Sequence, residues 1–302
     1  MAKTSRASGV ILALLSAAGF STLGVFAKLV YAEGLSVPEV LAWRFTVAAL
    51  VLWAIVLLGR RPLPRRLLPV LLLGLLGFAP QAGLYFLTIR ILDPGITSLL
   101  LYTYPSFVVL FSFLLFRRRP TRVQLAALGL SLAGCVVTFW RRGDYPMGGL
   151  LLGAFVGLAY GAYLVAGEKV LREVDSISAT ALIMVAAAGV YWAFALAQAA
   201  AGGRAPRLPS SPMAAGGIVG IALLATVLPI TALFGSMRRI GAADASLVST
   251  LEPVLTVGLS ALVLGERLGP AQLAGGLLIL AAVVALNLPE RAPKAAPPRR
   301  AD

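Results

Sequence analysis

Few residues in this chain can carry chemistry, and their surroundings decide which kind. Lys28, Arg44 and Glu252 are ionisable groups set inside or at the edge of long apolar runs; the chain has no histidine and a single cysteine, Cys135. Without histidine there is no imidazole base, no Ser-His-Asp triad and no HExxH zinc site. No cluster of cysteines or carboxylates takes their place, so no catalytic residue, metal or cofactor is expected. The glycines from Gly19 to Gly24 are followed by Val25 and Phe26 instead of Lys and Ser or Thr, which excludes a Walker A phosphate loop there. What remains is reversible binding and proton carriage.

An ionisable side chain within a membrane span is costly unless it faces protein or water, so each one is a functional candidate. Arg44 has two readings: an anchor for a substrate carboxylate, or a structural partner for helix carbonyls or lipid headgroups. Lys28 lies near the end of its run, where its stem reaches the interface. Glu252 sits well inside its run and is the candidate proton carrier; the alternative is a structural hydrogen bond beside Pro253. Phe20, Tyr85, Tyr102, Tyr104, Tyr160 and Tyr163 are candidates to line a solute cavity, since a phenol offers both a ring face and a hydroxyl. Tyr160 and Tyr163, three apart, share a helix face, whereas Tyr102 and Tyr104, two apart, do not. Trp140 and Tyr145 are expected in an interfacial aromatic belt.

Four prolines interrupt apolar runs. Pro80, Pro105, Pro229 and Pro253 each lack a backbone donor and free the carbonyl four residues earlier, on Leu76, Leu101, Ala225 and Ser249. They are hinge candidates, with static kinks as the alternative. Gly149, Gly153, Gly157 and Gly161 recur every four residues and read as a close-packing seam.

The elements that must position these residues follow from composition. A soluble domain carries roughly 25% charged residues, whereas this 302-residue chain is 13% charged and 59% hydrophobic, with a mean hydropathy of +0.92. Lipid must solvate much of its exterior. The net charge of +14 sits in short clusters between apolar runs rather than on one face, so nucleic acid is not an expected partner. Runs near the ~20 residues needed to cross ~30 Å of hydrocarbon fall at 8–30, 36–58, 67–89, 94–116, 122–140, 147–168, 178–200, 213–236, 243–264 and 270–288. The first could imitate a signal peptide, but it continues without a polar break to Ala27 and reads as an uncleaved span. Alternate connections place eighteen Lys and Arg on the side of the termini against six on the other, which predicts cytoplasmic termini.

A shift of 148 residues lays 98–133 over 246–281. Ser98/Ser246, Pro105/Pro253, Ser112/Ser260, Arg119/Arg267 and Gln124/Gln272 coincide, beyond what Leu and Ala bias produces. The expected fold is therefore an all-α polytopic membrane protein with ten transmembrane helices in two five-helix repeats. The repeats occupy 1–142 and 143–288, and a disordered basic cytoplasmic tail follows at 289–302. Five is odd, so the copies must be inverted, with a solute site between them near the midplane.

The order and spacing of several motifs resemble the drug/metabolite transporter superfamily, in particular its ten-helix EamA-type members. They are Phe26-Ala27-Lys28-Leu29, Ser36-Val37-Pro38-Glu39 followed by Arg44-Phe45, Ser98-Leu99-Leu100 before Tyr104-Pro105, Ala245-Ser246-Leu247 before Glu252-Pro253, and Gly265-Glu266-Arg267-Leu268 leading to Gln272. Two departures stand out: Arg117-Arg118 where the family usually has Gly-Glu, and Phe20-Ser21 where Trp-Gly is common. The tyrosines make the chain similar to the YddG-like branch of aromatic amino-acid exporters. The resemblance implies a secondary transporter in the bacterial inner membrane. It would export amino acids or related metabolites by alternating access, as a monomer or weak homodimer in contact with membrane lipid, and Ser98 and Ser246 join the cavity candidates. The alternatives are a cationic-compound or multidrug exporter, a membrane-embedded enzyme, and a passive channel.

Overall fold

A computed structural model describes residues 2–117, 119–140 and 145–287. Among them regular structure is entirely helical, and ten rods follow one another: α1 (Ala2–Ser21 and Leu23–Ala32), α2 (Val37–Leu58), α3 (Leu67–Ile91), α4 (Pro94–Leu101 and Tyr104–Phe116), α5 (Arg122–Trp140), α6 (Met147–Val170), α7 (Ser176–Ala200), α8 (Pro212–Gly241), α9 (Leu251–Leu264 with the turns before it) and α10 (Pro270–Asn287). Eight are long and apolar enough to cross a membrane; the apolar stretches of α5 and α9 are shorter. Outward leucines such as Leu58 and Leu262, 87% and 85% exposed, give the bundle a surface suited to hydrocarbon. This is an integral membrane protein. The tail at 289–302 lies outside the described residues.

Hydrogen bonds and ion pairs sort the connections into two faces. On one, Arg61 meets Asp175 at 3.1 Å and Arg6 meets Asp244 at 3.5 Å. Against its burial, the Ser178 N–H and hydroxyl and the Arg61 charge hold the Asp175 carboxyl below its ordinary range. On the opposite face, Glu39 accepts from Ser36 N at 2.7 Å, which closes a capping box at the start of α2, and from Arg207 N at 2.8 Å in the α7–α8 connection. Glu33 accepts from Ser211 Oγ there as well.

The rods pair in a regular way. α1 packs on α8 and α9, α6 packs on α3 and α4, α2 packs on α7, and α5 packs on α10. Aromatic groups seat the α2–α7 pair: Trp43 and Trp192 meet edge-on at 5.0 Å, and Trp192 Nε1 donates to Thr46 Oγ1 at 2.9 Å. The glycine stripe of α6 is the packing seam that its spacing predicts. Gly149 faces Ile91 and Leu92, Gly153 faces Leu100, Gly157 faces the Leu100 and Leu101 carbonyls, and Gly161 faces the Tyr104 carbonyl. Without Cβ atoms α6 lies directly against the backbone of α4.

All four interrupting prolines stand near the start of a fresh helical segment. A π-helical turn, Leu73–Phe78 in α3 and Leu223–Val227 in α8, comes just before Pro80 and Pro229. α4 breaks at Tyr102 and Thr103 ahead of Pro105, and α9 breaks at Thr250 ahead of Pro253. Proline offers no N–H to the turn before it, so each stands where the helix has already widened or broken.

Candidate solute cavity

The widened turn of α3 and the breaks of α4 and α9 border a cavity of about 210 Å³ at mid-bundle. Phe20 and Leu23 enter from α1, Arg44 from α2, and Phe78, Gln81 and Tyr85 from α3. Tyr102 and Tyr104 come from α4, Tyr160 from α6, Leu233 and Met237 from α8, and Ser249 and Glu252 from α9.

Glu252 and Tyr102 form the polar wall. The Tyr102 hydroxyl lies 2.9 Å from Glu252 Oε2 and 3.0 Å from the Ser249 carbonyl, so its one hydrogen is shared between two acceptors. That carbonyl is the one Pro253 leaves without a helical partner, so a side chain of α4 repairs the break in α9. Glu252 has no cation within 4 Å among the described residues. Tyr104 sits edge-on to Tyr102 at 5.8 Å and to Tyr160 at 4.8 Å. Tyr102 and Tyr104 thus share the cavity, against the expectation from their spacing. The face rule assumes a continuous helix, and α4 is broken between them.

Arg44 lies on α2, only 5% exposed. Its Nε donates to Thr226 Oγ1 at 3.1 Å, within the π-helical turn of α8, and its guanidinium lies 5.0 Å from the Phe45 ring and 5.1 Å from the Phe86 ring. Stacking and one hydrogen bond hold the planar group while it lines the cavity. Tyr85 lies within electrostatic reach of both Arg44 and Glu252.

Other candidates fall elsewhere. Ser98 is buried in α4 with its hydroxyl unpartnered and does not line the cavity. Tyr163 stands behind Tyr160, stacked at 6.0 Å, and faces a groove between α3 and α6. The side chain of Ser246 lies outside the described residues, as does that of Trp140. Pro80 lines the α3–α6 groove and Pro229 packs on Gly19 of α1. Sequence reasoning missed Gln81, Phe78, Met237 and Ser249 as lining residues. Gln81 carries a signal in the sequence, an amide inside an apolar run.

On the face of the α1–α2 connection a second polar cluster closes the bundle. Tyr145 donates to Asp93 Oδ2 at 2.6 Å, which ties it to the start of α4. Glu266, just past α9, is close to Asp93 and Lys28, and its Oε2 is buried without a hydrogen-bond partner. Burial, with the Asp93 charge adding to it and Lys28 opposing, pushes the Glu266 carboxyl up to about 7. Burial and the Asp93 bond likewise raise the Tyr145 phenol. Lys28, expected to reach for the interface, stands beside these carboxyls.

This arrangement has relatives. The chain is 28% identical over 282 residues to an uncharacterized transporter, YcbK, of Bacillus subtilis, covering 89% of each chain. It is 26% identical over 266 residues to a second one from that organism, YdfC, covering 83% of this chain and 82% of that one. A solved crystal structure shares the fold at a TM-score of 0.64 and 21% identity, over 93% of this chain and 97% of that chain. The model of the EamA-like transporter family matches twice in succession, at residues 7–140 and 147–288, the stretches that carry α1–α5 and α6–α10. A central cavity reached from both matched stretches and a match over nearly all described helices lead to one conclusion: the chain belongs to the EamA-like transporter family, in the drug/metabolite transporter superfamily.

Proposed function

We propose that this protein is a secondary transporter that exports small organic metabolites, amino acids with aromatic or hydrophobic side chains first, across the bacterial inner membrane. The observation that carries the reading is a single mid-bundle cavity with a buried guanidinium, Arg44, a carboxyl, Glu252, and phenol rings between them. Arg44 matches a carboxylate, Glu252 and its neighbouring rings match an ammonium, and the Phe20, Phe78 and Tyr160 side matches an apolar side chain. The volume of about 210 Å³ is below the ~300–1,000 Å³ common for drug-sized ligands, which favours a small metabolite over large drugs.

Alternating access between two inverted five-helix units is part of the proposal. Its supports are the double family match, the π-helical turns of α3 and α8, the breaks of α4 and α9, and packing in which α1 on α8 mirrors α6 on α3. Both termini lie in the cytoplasm in this reading, the cavity belongs to one chain, and the transporting unit is a monomer. Glu252 exchanges its proton for the cargo amine, which couples export to the proton gradient.

Proteoliposome counterflow with a panel of amino acids, with and without a pH gradient, tests the reading. Saturable exchange of aromatic or branched amino acids, accelerated by the gradient, is expected; exchange of none of them sinks it. A second reading, export of organic cations, draws on the ring-and-carboxyl wall alone, with Arg44 held structurally by Thr226, Phe45 and Phe86. Arg44→Gln separates the two: it abolishes amino-acid exchange in the first and leaves cation exchange intact in the second.

A further inference from the structure

A larger cavity than the central one opens at the face of the Arg61–Asp175 pair, between the start of α3 and the end of α6. It measures about 870 Å³, and Arg65, Arg66, Lys169 and Arg172 line its rim. None of these four makes an ion pair among the described residues, and the Asp175 carboxylate beside them is occupied by Arg61 and Ser178. Glu173 is the remaining acid among the lining residues, so the rim holds a surplus of positive charge.

The floor is apolar and does not end there. Pro69 and Val170 line this cavity and also a groove of about 690 Å³ that runs outward-facing between α3 and α6. Its walls are hydrocarbon side chains and small residues: Leu76, 68% exposed, and Phe155, 51% exposed, flank Ala159, Ala162 and Ala166. From Pro69 to Leu84, or from Val170 back to Phe155, the groove extends about 22 Å at the helical rise. That exceeds the ~15 Å half-thickness of the hydrocarbon core. A cationic rim at helix ends, continuous with an apolar channel one leaflet deep, has the charge and shape of an amphiphile with a phosphate at one end.

We propose that this composite surface binds one molecule of anionic phospholipid, with its headgroup phosphate among Arg65, Arg66, Lys169 and Arg172 and one acyl chain along the α3–α6 groove. Neither the cargo nor the direction of transport enters this inference. Gln81 lines both the groove and the central cavity, so the bound chain lies one side chain away from the cargo.

The test is lipid retention by the purified full-length protein, read by native mass spectrometry after delipidation and re-addition of phosphatidylglycerol or of phosphatidylcholine with the same chains. The wild type is expected to keep one phosphatidylglycerol with a preference of at least about tenfold over phosphatidylcholine. The combined variant Arg65→Gln, Arg66→Gln, Lys169→Gln, Arg172→Gln should lose that preference. Ala162→Trp, which fills the groove, should lower retention of both lipids. Soluble glycerol phosphate should not displace the lipid. A combined variant with an undiminished preference and a wild-type melting profile would overturn the proposal. So would displacement by inorganic phosphate, which would make the rim a free-anion site. Should the fourfold variant not fold, the pairs Arg65→Gln with Arg66→Gln and Lys169→Gln with Arg172→Gln are read separately, and an unchanged preference in both overturns it equally.

Discussion

The breaks in α4 and α9 lie 148 residues apart in sequence, yet they present different chemistry. Before its proline the first reads Tyr102-Thr103-Tyr104, and the second reads Thr250-Leu251-Glu252. Each exposes a short stretch of backbone near the cavity and restarts in a helix whose first turn carries proline. Tyr104 and Glu252 hold corresponding places, one a ring and the other a carboxyl. The backbone device is common to the two stretches; the polarity of the cavity comes from which side chain is mounted on it. Tyr102, with no counterpart hydroxyl of equal reach, ties the two breaks together.

The comparison breaks most severely at Glu252. Removing one partner of a buried charged hydrogen bond costs ~2–5 kcal/mol, so Glu252→Gln is expected to slow gradient-driven exchange about thirtyfold or more in proteoliposomes. Gradient dependence equal to wild type would dismiss Glu252 as the proton carrier. The seam behind the first break comes next. A Cβ on Gly157 would lie 2.9 Å from the Leu100 carbonyl oxygen, whereas one on Gly129 meets nothing within 4 Å. Gly157→Leu should therefore destabilise by ~1–3 kcal/mol and Gly129→Leu should leave thermal melting in detergent unchanged.

Tyr102→Phe removes one hydroxyl and keeps the ring. A hydrogen bond to a charged group is worth ~1.5–3 kcal/mol, which translates to about tenfold in exchange rate while the apparent affinity for apolar side chains is retained. Equal exchange by this variant would mean that the two breaks work independently. The smallest effect concerns the closure beside α9. A carboxyl raised from 4.5 to about 7 binds its proton more tightly in the folded protein. Its stabilisation is therefore complete below about pH 4.5 and fades as pH rises through 7. Melting temperature should fall across that window in the wild type and fall less in Glu266→Gln; identical slopes would remove Glu266 from the pH response.

Much of the fold was legible because hydrocarbon thickness fixes how long an apolar run must be. Most described helices fall within a few residues of the runs read from the sequence, the start of α1 and of Leu251–Leu264 in α9 being the larger departures, and Gly149 to Gly161 announced their seam by spacing alone. The π-helical turns were not legible. Pro80 and Pro229 mark where a helix is disturbed, but whether the disturbance becomes a kink, a break or a wider turn depends on the neighbour pressing against it. In α8 that neighbour is α1, whose Gly19 lies against the Leu224 carbonyl. Of the residues singled out in the sequence, Arg44, Glu252, Tyr85, Tyr102, Tyr104 and Tyr160 line the mid-bundle cavity, and a charge or ring inside an apolar run is what marked them. Ser98 and Tyr163 do not line that cavity, and facing cannot be counted through a helix that changes its winding. In the sequence the arginines at 65 and 66 speak only of sidedness; it is the fold of α6 that brings Lys169 and Arg172 to the same cavity.

Gly241 joins α8 to the turns leading into α9, and its φ of 84° and ψ of 162° make the whole corner. One residue of chain leaves no slack between the two rods. In the proposed transport cycle, a tilt of the rod that carries Glu252 would be passed along the chain to the rod whose Thr226 bonds Arg44, which links the carboxyl and the guanidinium through the main chain as well as across the cavity. Two glycines inserted after Gly241 would act as a clutch: if the proposed proton exchange holds, cargo should still bind while its release loses its dependence on the pH gradient.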